Sequence, residues 1–186
     1  MDIVLIHPEI PHNTGCAARL AAATGARLHL VEPLGFSLED RYLKRAGLDY
    51  WPMVDLVVYA SWSAAEVALA KSGARPLAER LRLFSARGGV SLFDVAFAPD
   101  DLLLFGSESK GLPRELLDAL PGRRVYVPVN PGVRSLNLAN VVALGLYTAM
   151  ASAGVPMPTG DGSYAPHPER AVDLFAADVA RRGGAE

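Results

Sequence analysis

Three polar segments of the sequence carry the residue types that could do chemistry. They are "HPEIPHNTG" (7–15) with Asn13 and the following Arg19, "FGSESKGLP" (105–113) with Glu108, and "VPVNPGVRSLN" (127–137) with Ser135 and Asn137. Carboxylate, guanidinium, hydroxyl and amide groups can orient a substrate hydroxyl or phosphate through directed hydrogen bonds. The mixture favours a site that positions a polar substrate.

Several common kinds of site are excluded by the same segments. No G-x-G-x-x-G follows the first predicted strand, no G-x-x-x-x-G-K-[ST] occurs, and "GSESKG" lacks the G-x-S-x-G spacing of a nucleophile elbow. The four histidines are scattered, and Cys16 is the one cysteine, so neither a disulfide nor a cysteine-rich zinc site can form within the chain. We therefore expect no metal.

Each polar group also has a purely structural interpretation. Asn13 and Thr14 could cap the first helix, and Ser135 and Asn137 the last. Glu108 and Lys110 could be solvated loop charges, as could the basic helix face formed by Arg41, Lys44 and Arg45, while Cys16 is expected to be buried. The three loops together favour a site over these separate interpretations.

Strands and helices alternate along the chain and so position the three loops. Strands are predicted at 3–6, 27–31, 56–60, 81–86, 101–106 and 123–129. Helices are predicted after each of the first three strands, with Pro113 at the first position of a fourth helix, and from residue 138. Ser37 and Ser63 are predicted to cap the second and third helices. Short loops between such elements indicate an α/β fold with a parallel sheet flanked by helices, and open parallel sheets bind ligands beyond the carboxyl ends of their strands.

The bulk composition is that of a folded domain. The chain has 186 residues, 51% hydrophobic and 20% charged, with a net charge of −2 that argues against bulk electrostatic binding of nucleic acid but not against a local basic patch. Neither a signal peptide nor a membrane span is predicted, so we expect a cytoplasmic protein. The composition changes after Met150, which predicts a domain over residues 1–155 and a tail of unknown role over 156–186.

The three segments, in this order and spacing, resemble the motifs of the SPOUT class of RNA methyltransferases. "HLVEPLGF" followed by "RAGLDYW" is similar to the TrmL family, which methylates the 2′-hydroxyl of the wobble cytidine or uridine of tRNA. The likeness runs from about Ile3 to Ala151. Cys16, where the family usually has Asn, the "SARGG" loop and the C-terminal tail depart from the family pattern.

The resemblance implies a fold and a cofactor that the periodicity cannot show. It implies a C-terminal trefoil knot, an S-adenosylmethionine pocket in the knotted loops, and a homodimer that pairs through the last helix. The residues implied to bind the cofactor, largely through main-chain groups, are Ala86, Gly106, Gly111, Val127, Ser135 and Leu136. Leu144 and Tyr147 are expected at the dimer interface, because "LANVVALGLYTAM" is apolar on faces that cannot all meet one sheet.

The resemblance also implies roles for the polar residues. Those assigned to catalysis or RNA contact are Asn13, Arg19, Glu108, Ser135 and Asn137. Arg19 is expected to orient the substrate, because a guanidinium is normally a donor only, and a relay in which Arg19 transiently loses its proton is the alternative. The surface for tRNA would combine Arg41, Lys44, Arg45, Arg123, Arg124 and Arg134 from both subunits.

Two other functions share these motifs. The chain could methylate another position in tRNA or ribosomal RNA, or it could be a catalytically silent dimer that binds RNA.

Overall fold

The computed structural model describes residues 1–38 and 51–160, and within them the strands form one sheet. Its strands are β1 (Asp2–Ile6), β2 (Leu28–Val31), β3 (Leu56–Tyr59), β4 (Leu81–Phe84), β5 (Val90–Ser91), β6 (Leu102–Phe105) and β7 (Arg124–Tyr126). They stand in the order β3-β2-β1-β6-β4-β7-β5, and every neighbouring pair is parallel. The predicted α/β fold with a parallel sheet is confirmed; the trefoil knot stays a prediction.

Helices cover both faces of the sheet. They are α1 (Pro11–Thr24), α2 (Trp62–Ala70), α3 (Leu77–Arg80), α4 (Arg114–Ala119) and α5 (Leu138–Ser152), with single 3-10 turns at 51–53, 92–94 and 121–123. Gly25, in the left-handed conformation, ends α1 with a hydrogen bond from its N–H to the carbonyl of Ala21. Helix α1 packs beside α5 on one face of the sheet.

Alternating residues of the strands supply two apolar cores, one on each face. In β1, Ile3 and Leu5 pack into the core that contains α1 and α5, whereas Val4 and Ile6 pack into the core that contains α2 and α4. All four side chains are at most 1% exposed. Burial of each side chain stabilises the folded state by roughly 1.5–3 kcal/mol. Because two of the four point to each face, packing on both faces of the sheet stabilises β1.

A group of ion pairs fills the amino-terminal edge of the sheet, opposite the predicted site. The carboxylate of Asp101, fully buried, accepts from Arg82 at 2.7 Å and from Arg75 at 2.7 Å. Arg80, 3% exposed, donates to the carbonyl oxygens of Leu69 and Asp100. These charges satisfy one another, as burial requires, and so hold the ends of β4 and β6 together.

Local details differ from the sequence predictions. Ser61, not Ser63, caps α2, because its hydroxyl accepts from the N–H of Ala64. Pro113 precedes α4 as its cap residue, not its first residue, and the two-residue strand β5 was not predicted because it is too short to show alternation. The helix predicted after Ser37 falls largely on residues 39–50, outside the described residues.

Candidate functional site

The three polar loops leave the carboxyl ends of strands that lie close together. The segment 7–10 follows β1, the turn 106–111 follows β6 and the segment 127–137 follows β7. Strands β1, β6, β4 and β7 are consecutive in the sheet and parallel, so their carboxyl ends meet at one edge. The expectation that the loops share one edge is confirmed.

Glu108 connects the loop after β6 to the start of α1. Its carboxylate accepts from the N–H of Glu9 at 2.8 Å, from the N–H of Ile10 at 3.2 Å and from Nδ2 of Asn13 at 2.8 Å. A carboxylate is a natural partner for main-chain donors at a helix start, since the helix dipole also favours negative charge there. Glu108 is therefore not the solvated loop charge of the structural interpretation.

Asn13 and Asn137 extend this connection to the last helix. Oδ1 of Asn13 accepts from Nδ2 of Asn137 at 3.0 Å, and Oδ1 of Asn137 accepts from the N–H of Ala139 at 2.9 Å, so that Asn137 caps α5. Asn13 is 2% exposed and lies inside α1, whose cap residue is Ile10. Capping of α1 by Asn13 or Thr14 is therefore wrong, whereas Asn137 both caps a helix and joins two loops.

Glu9 and Ser109 form a second connection between the same two loops, which sequence reasoning missed. The carboxylate of Glu9 accepts from the Ser109 hydroxyl at 2.7 Å and from the Ser109 N–H at 3.0 Å. These two bonds, the hydroxyl first, hold the pKa of Glu9 below its ordinary value of 4.5. The contact joins residues 100 positions apart, and the only available signal was that each lies within one of the three polar segments.

The turn that presents Glu108 is closed by main-chain bonds. Ser107 and Gly111 exchange N–H to carbonyl hydrogen bonds of 3.2 and 2.8 Å, and the Ser107 hydroxyl accepts from the N–H of Lys110. A side chain at Gly106 would overlap the carbonyl carbon of Gly111 and the nitrogen of Leu112. Glycine at 106 therefore lets the two ends of the turn touch.

Arg19 and Ser135 are solvent-exposed, unlike Asn13. Arg19 shares the outer stripe of α1 with His12 and Cys16, whose Nε2 and Sγ atoms lie 3.7 Å apart, and Cys16 is half-buried, not buried as expected. Within residues 1–38 and 51–160, no ion pair joins Arg19 to Glu108.

The residues predicted for the cofactor line the same edge. Strands β6, β4 and β7 are neighbours, so Gly106, Ala86 and Val127 leave adjacent strand ends, and Ala86, Gly111, Ser135 and Leu136 are exposed there. Among the residues that the structure describes, the N–H groups of Ala86, Ser135 and Leu136 have no hydrogen-bond acceptor. Open main-chain donors of this kind fit a ligand that is bound through the backbone.

The described residues among those predicted to bind RNA lie at opposite edges of the sheet. Arg134 is exposed in the loop after β7, at the carboxyl edge. Arg123 and Arg124 lie at the amino end of β7, beside a cavity of about 310 Å³, and Arg124 donates to the carbonyl of Leu117 and the carboxylate of Asp118. Their binding of RNA stays a prediction, and it requires RNA to reach the opposite edge. Arg41, Lys44 and Arg45 lie outside the described residues.

The last helix buries one face and exposes apolar residues on the other. Val142, Gly145, Leu146 and Ala149 are buried, Leu144 is half-buried and Tyr147 is 40% exposed. The aromatic ring of Tyr147 stands on the outward stripe with Asn140 and Ala151, so part of the helix remains uncovered in the single chain.

The described residues offer neither a metal site nor a membrane-spanning helix. Within the described ranges, no group of three or more His, Cys, Asp or Glu side chains could hold a metal ion. In the same residues, every helix is too short or too polar to cross a bilayer.

Comparisons with known proteins agree with this geometry. The model of the SpoU rRNA methylase family matches residues 1–147. The tRNA (cytidine(34)-2'-O)-methyltransferase of Polaromonas sp. (strain JS666) is 47% identical over 149 residues, which are 80% of this chain and 88% of that protein. That of Methylovorus glucosotrophus is 48% identical over 149 residues, 80% of this chain and 92% of its own.

A solved structure is similar over the same region. It was determined for insights into the 2-OH methylation of C/U34 on tRNA, and it shares 46% identity and a TM-score of 0.75 with this chain, covering 83% of it and 97% of the other.

Proposed function

This chain belongs to the SpoU rRNA methylase family, and from that premise we propose that it methylates the ribose 2′-hydroxyl of nucleotide 34 in tRNA. The observation that carries the proposal is the match, near 47% identity and over most of both chains, to enzymes named for that reaction. The base would be cytidine or a modified uridine. We infer a cytoplasmic location from this substrate.

We propose S-adenosylmethionine as the methyl donor. When bound, it supplies an electrophilic methyl group on a sulfonium. The open N–H groups of Ala86, Ser135 and Leu136 would hold its polar edge through the main chain. The residues present therefore fit the group.

We assign the five candidate residues to two roles. Glu108, Asn13 and Asn137 are engaged with one another or with main-chain groups, so they hold the loops in place. Glu108 already accepts three hydrogen bonds, so its carboxylate is held as a fixed acceptor and is not placed to act as a mobile base. Arg19, exposed on the outer stripe of α1, and Ser135, exposed in the loop after β7, are the groups we assign to contact with the RNA.

Arg19 orients the ribose hydroxyl or the adjoining phosphate in this scheme. Its guanidinium offers several donors in a rigid fork and stays charged at neutral pH, so it suits an anionic backbone better than proton removal. Ser135 adds a hydroxyl that can donate or accept. Because methyl transfer requires an in-line approach, holding the hydroxyl in the correct position supplies much of the rate.

The protein is expected to act as a homodimer through α5. Tyr147 projects from an apolar helix that the single chain leaves partly uncovered, and Leu144 lies beside it. Pairing about a two-fold axis would cover this stripe and would place two basic surfaces on one tRNA, so a modest patch such as Arg134 is used twice.

The deciding experiment maps methylated ribose in tRNA. The purified full-length protein is incubated with S-adenosylmethionine and total tRNA from a strain that lacks the gene. The tRNA is then digested with nuclease, and the masses of the fragments are measured by mass spectrometry. A single added methyl on the ribose of nucleotide 34 supports the proposal. Methylation elsewhere in tRNA, or of ribosomal RNA only, would overturn the substrate, and failure to bind the cofactor in calorimetry would indicate a silent RNA-binding protein.

A further inference from the structure

Glu9 lies where three loops of the site edge meet. Its side chain holds Ser109, and its own N–H donates to Glu108, so it contacts two consecutive residues of the turn after β6. On its other side, the loop after β2 packs on its backbone: a Cβ at Gly35 would lie 2.7 Å from Cα and O of Glu9, and Gly35 donates its N–H to Pro8. The backbone of Glu9 is therefore held from behind while its carboxylate faces the turn.

The clasp formed by Glu9 and Ser109 restrains the exposed half of the turn. Ser107 is 8% exposed and is bonded within the turn, whereas Ser109 and Lys110 are solvent-exposed. Within the described ranges, Ser109 donates to no group other than the Glu9 carboxylate. Without that anchor, Ser109, the residue next to Glu108, loses its side-chain connection to the segment after β1.

The position of Glu108 determines how the side-chain amides of Asn13 and Asn137 are oriented in a chain of hydrogen bonds. An ionised carboxylate only accepts, so Asn13 must turn its Nδ2 toward Glu108 and its Oδ1 toward Asn137. Asn137 must then give its Nδ2 to Asn13 and its Oδ1 to the first turn of α5. A displaced Glu108 removes the constraint that orients both amides.

We propose that Glu9 is a positioning residue for methyl transfer, which acts by holding Ser109 and thereby keeping Glu108, Asn13 and Asn137 aligned beside the reacting groups. This inference rests on the proposed function and deepens it. Glu9 itself touches neither substrate nor cofactor in this scheme. Its pKa, lowered by the bonds from Ser109, keeps the carboxylate ionised and accepting at neutral pH.

The test compares Glu9→Ala, Glu9→Gln, Ser109→Ala and the Glu9→Ala/Ser109→Ala double variant in the full-length protein. Glutamine can accept from the Ser109 N–H through Oε1 and donate to its hydroxyl through Nε2, so Glu9→Gln should keep the clasp and most of the activity. We expect Glu9→Ala to lower kcat about ten- to a hundredfold, the range for a misplaced catalytic geometry, with less than about a threefold change in calorimetric affinity for S-adenosylmethionine.

Coupling and exchange supply readouts that a merely structural role would not give. The double variant should be about as active as Glu9→Ala, because both changes break the same contact. Amide hydrogen exchange should quicken at Ser109 and also at Ile10, whose N–H is bound by Glu108 and not by Glu9. Glu66→Ala, which removes an exposed glutamate of α2, is the matched control and should change nothing.

The outcomes separate this inference from the proposed function. If Glu9→Gln is as impaired as Glu9→Ala, the charge of Glu9 matters in itself and the positioning role is overturned. Unchanged exchange at Ile10 in Glu9→Ala would overturn it equally, whatever the activity. If the wild-type protein does not methylate nucleotide 34, the proposed function fails, while the exchange measurement still shows whether Glu9 holds Glu108.

Discussion

At the scale of single residues, the site edge is organised by one acceptor-only group. Glu108 receives hydrogen bonds from two main-chain amides and one side-chain amide, and each of its partners belongs to the start of α1. Amide groups such as Asn13 can present either end to a neighbour, but next to an ionised carboxylate only one orientation donates. A single negative charge therefore orders polar groups that come from three loops.

The first prediction concerns Arg19. Arg19→Ala should reduce methyl transfer at least about a hundredfold and leave the affinity for S-adenosylmethionine nearly unchanged, because its role is to orient RNA. Turnover and calorimetry on the same preparation measure both quantities. Arg114→Ala, which removes an exposed arginine of α4, serves as the control. Equal losses of turnover and cofactor affinity would place Arg19 in the cofactor site instead.

The second prediction concerns the titration of Glu9. Because Ser109 lowers the pKa of Glu9 in the folded protein, the ionised form of the clasp, in which both oxygens accept, is fully present above pH 4.5 and is replaced by the protonated form only as the pH falls through that lowered value. The Ser109 amide resonance should therefore shift with a midpoint below 4.5 in an NMR titration. The shift should vanish in Glu9→Gln, and a midpoint above 4.5 would contradict the contact.

The sequence predicted which polar segments meet at one edge of the sheet, but it did not predict all of the contacts between them. Asn13, Glu108 and Asn137 were chosen for their residue types and for the motifs they resemble, and the structure brings them together at one edge. Glu9 and Ser109 were missed because a contact between residues 100 positions apart leaves no local pattern. Arg124 was predicted to bind RNA because of its charge alone, and in the structure its guanidinium forms an ion pair with Asp118.

At the scale of elements, the start of α5 combines stability with site geometry. Asn137 ends the loop after β7 with an extended backbone (ψ 144°), and its side chain then closes the first turn of the helix. The helix continues for fifteen residues with its buried face on the sheet. A change at Asn137 can therefore affect the stability of the helix, the position of Asn13, or both.

Substitutions at Asn137 can separate these two effects. Serine can still accept from the N–H of Ala139 but is too short to reach Asn13, whereas alanine does neither. We expect Asn137→Ala to cost about 1 kcal/mol of unfolding free energy and Asn137→Ser only a few tenths, while both lose activity to a similar extent. Thermal unfolding and turnover test this. Full activity in the serine variant would mean that the bond to Asn13 is dispensable.

At the scale of the whole molecule, the alternation of strands and helices was predictable and the order of strands in the sheet was not. Alternation follows from runs such as Leu102–Phe105, whose apolar side chains fill both cores. The placement of β6 beside β1, and of β4 between β6 and β7, depends on pairings between strands far apart in the chain. That order is nevertheless what brings the polar loops to one edge.

Assembly of the whole protein supplies a further prediction. Tyr147→Glu should convert a dimer to a folded monomer in sedimentation and abolish methylation of tRNA, because a charge would be buried at the proposed interface. Tyr147 is 40% exposed, so the change spares the core of the single chain. Val67→Glu, at a 59% exposed apolar residue of α2, is the matched control and should remain dimeric. A wild-type monomer at micromolar concentration would refute the proposal.

The long sequence separations between Asn13, Glu108 and Asn137 determine when their contacts can form during synthesis on the ribosome. Asn13 is made 95 residues before Glu108 and 124 before Asn137. At 5–20 residues per second, a ribosome takes roughly 6–25 s to cover the longer interval, and during it the start of α1 has neither its anion nor its amide partner. A nascent chain that stops before α5 emerges can pair β1 with β2 but cannot close the edge where RNA is to bind. The contact between Asn13 and Asn137 can therefore form only after the start of α5 has left the ribosome.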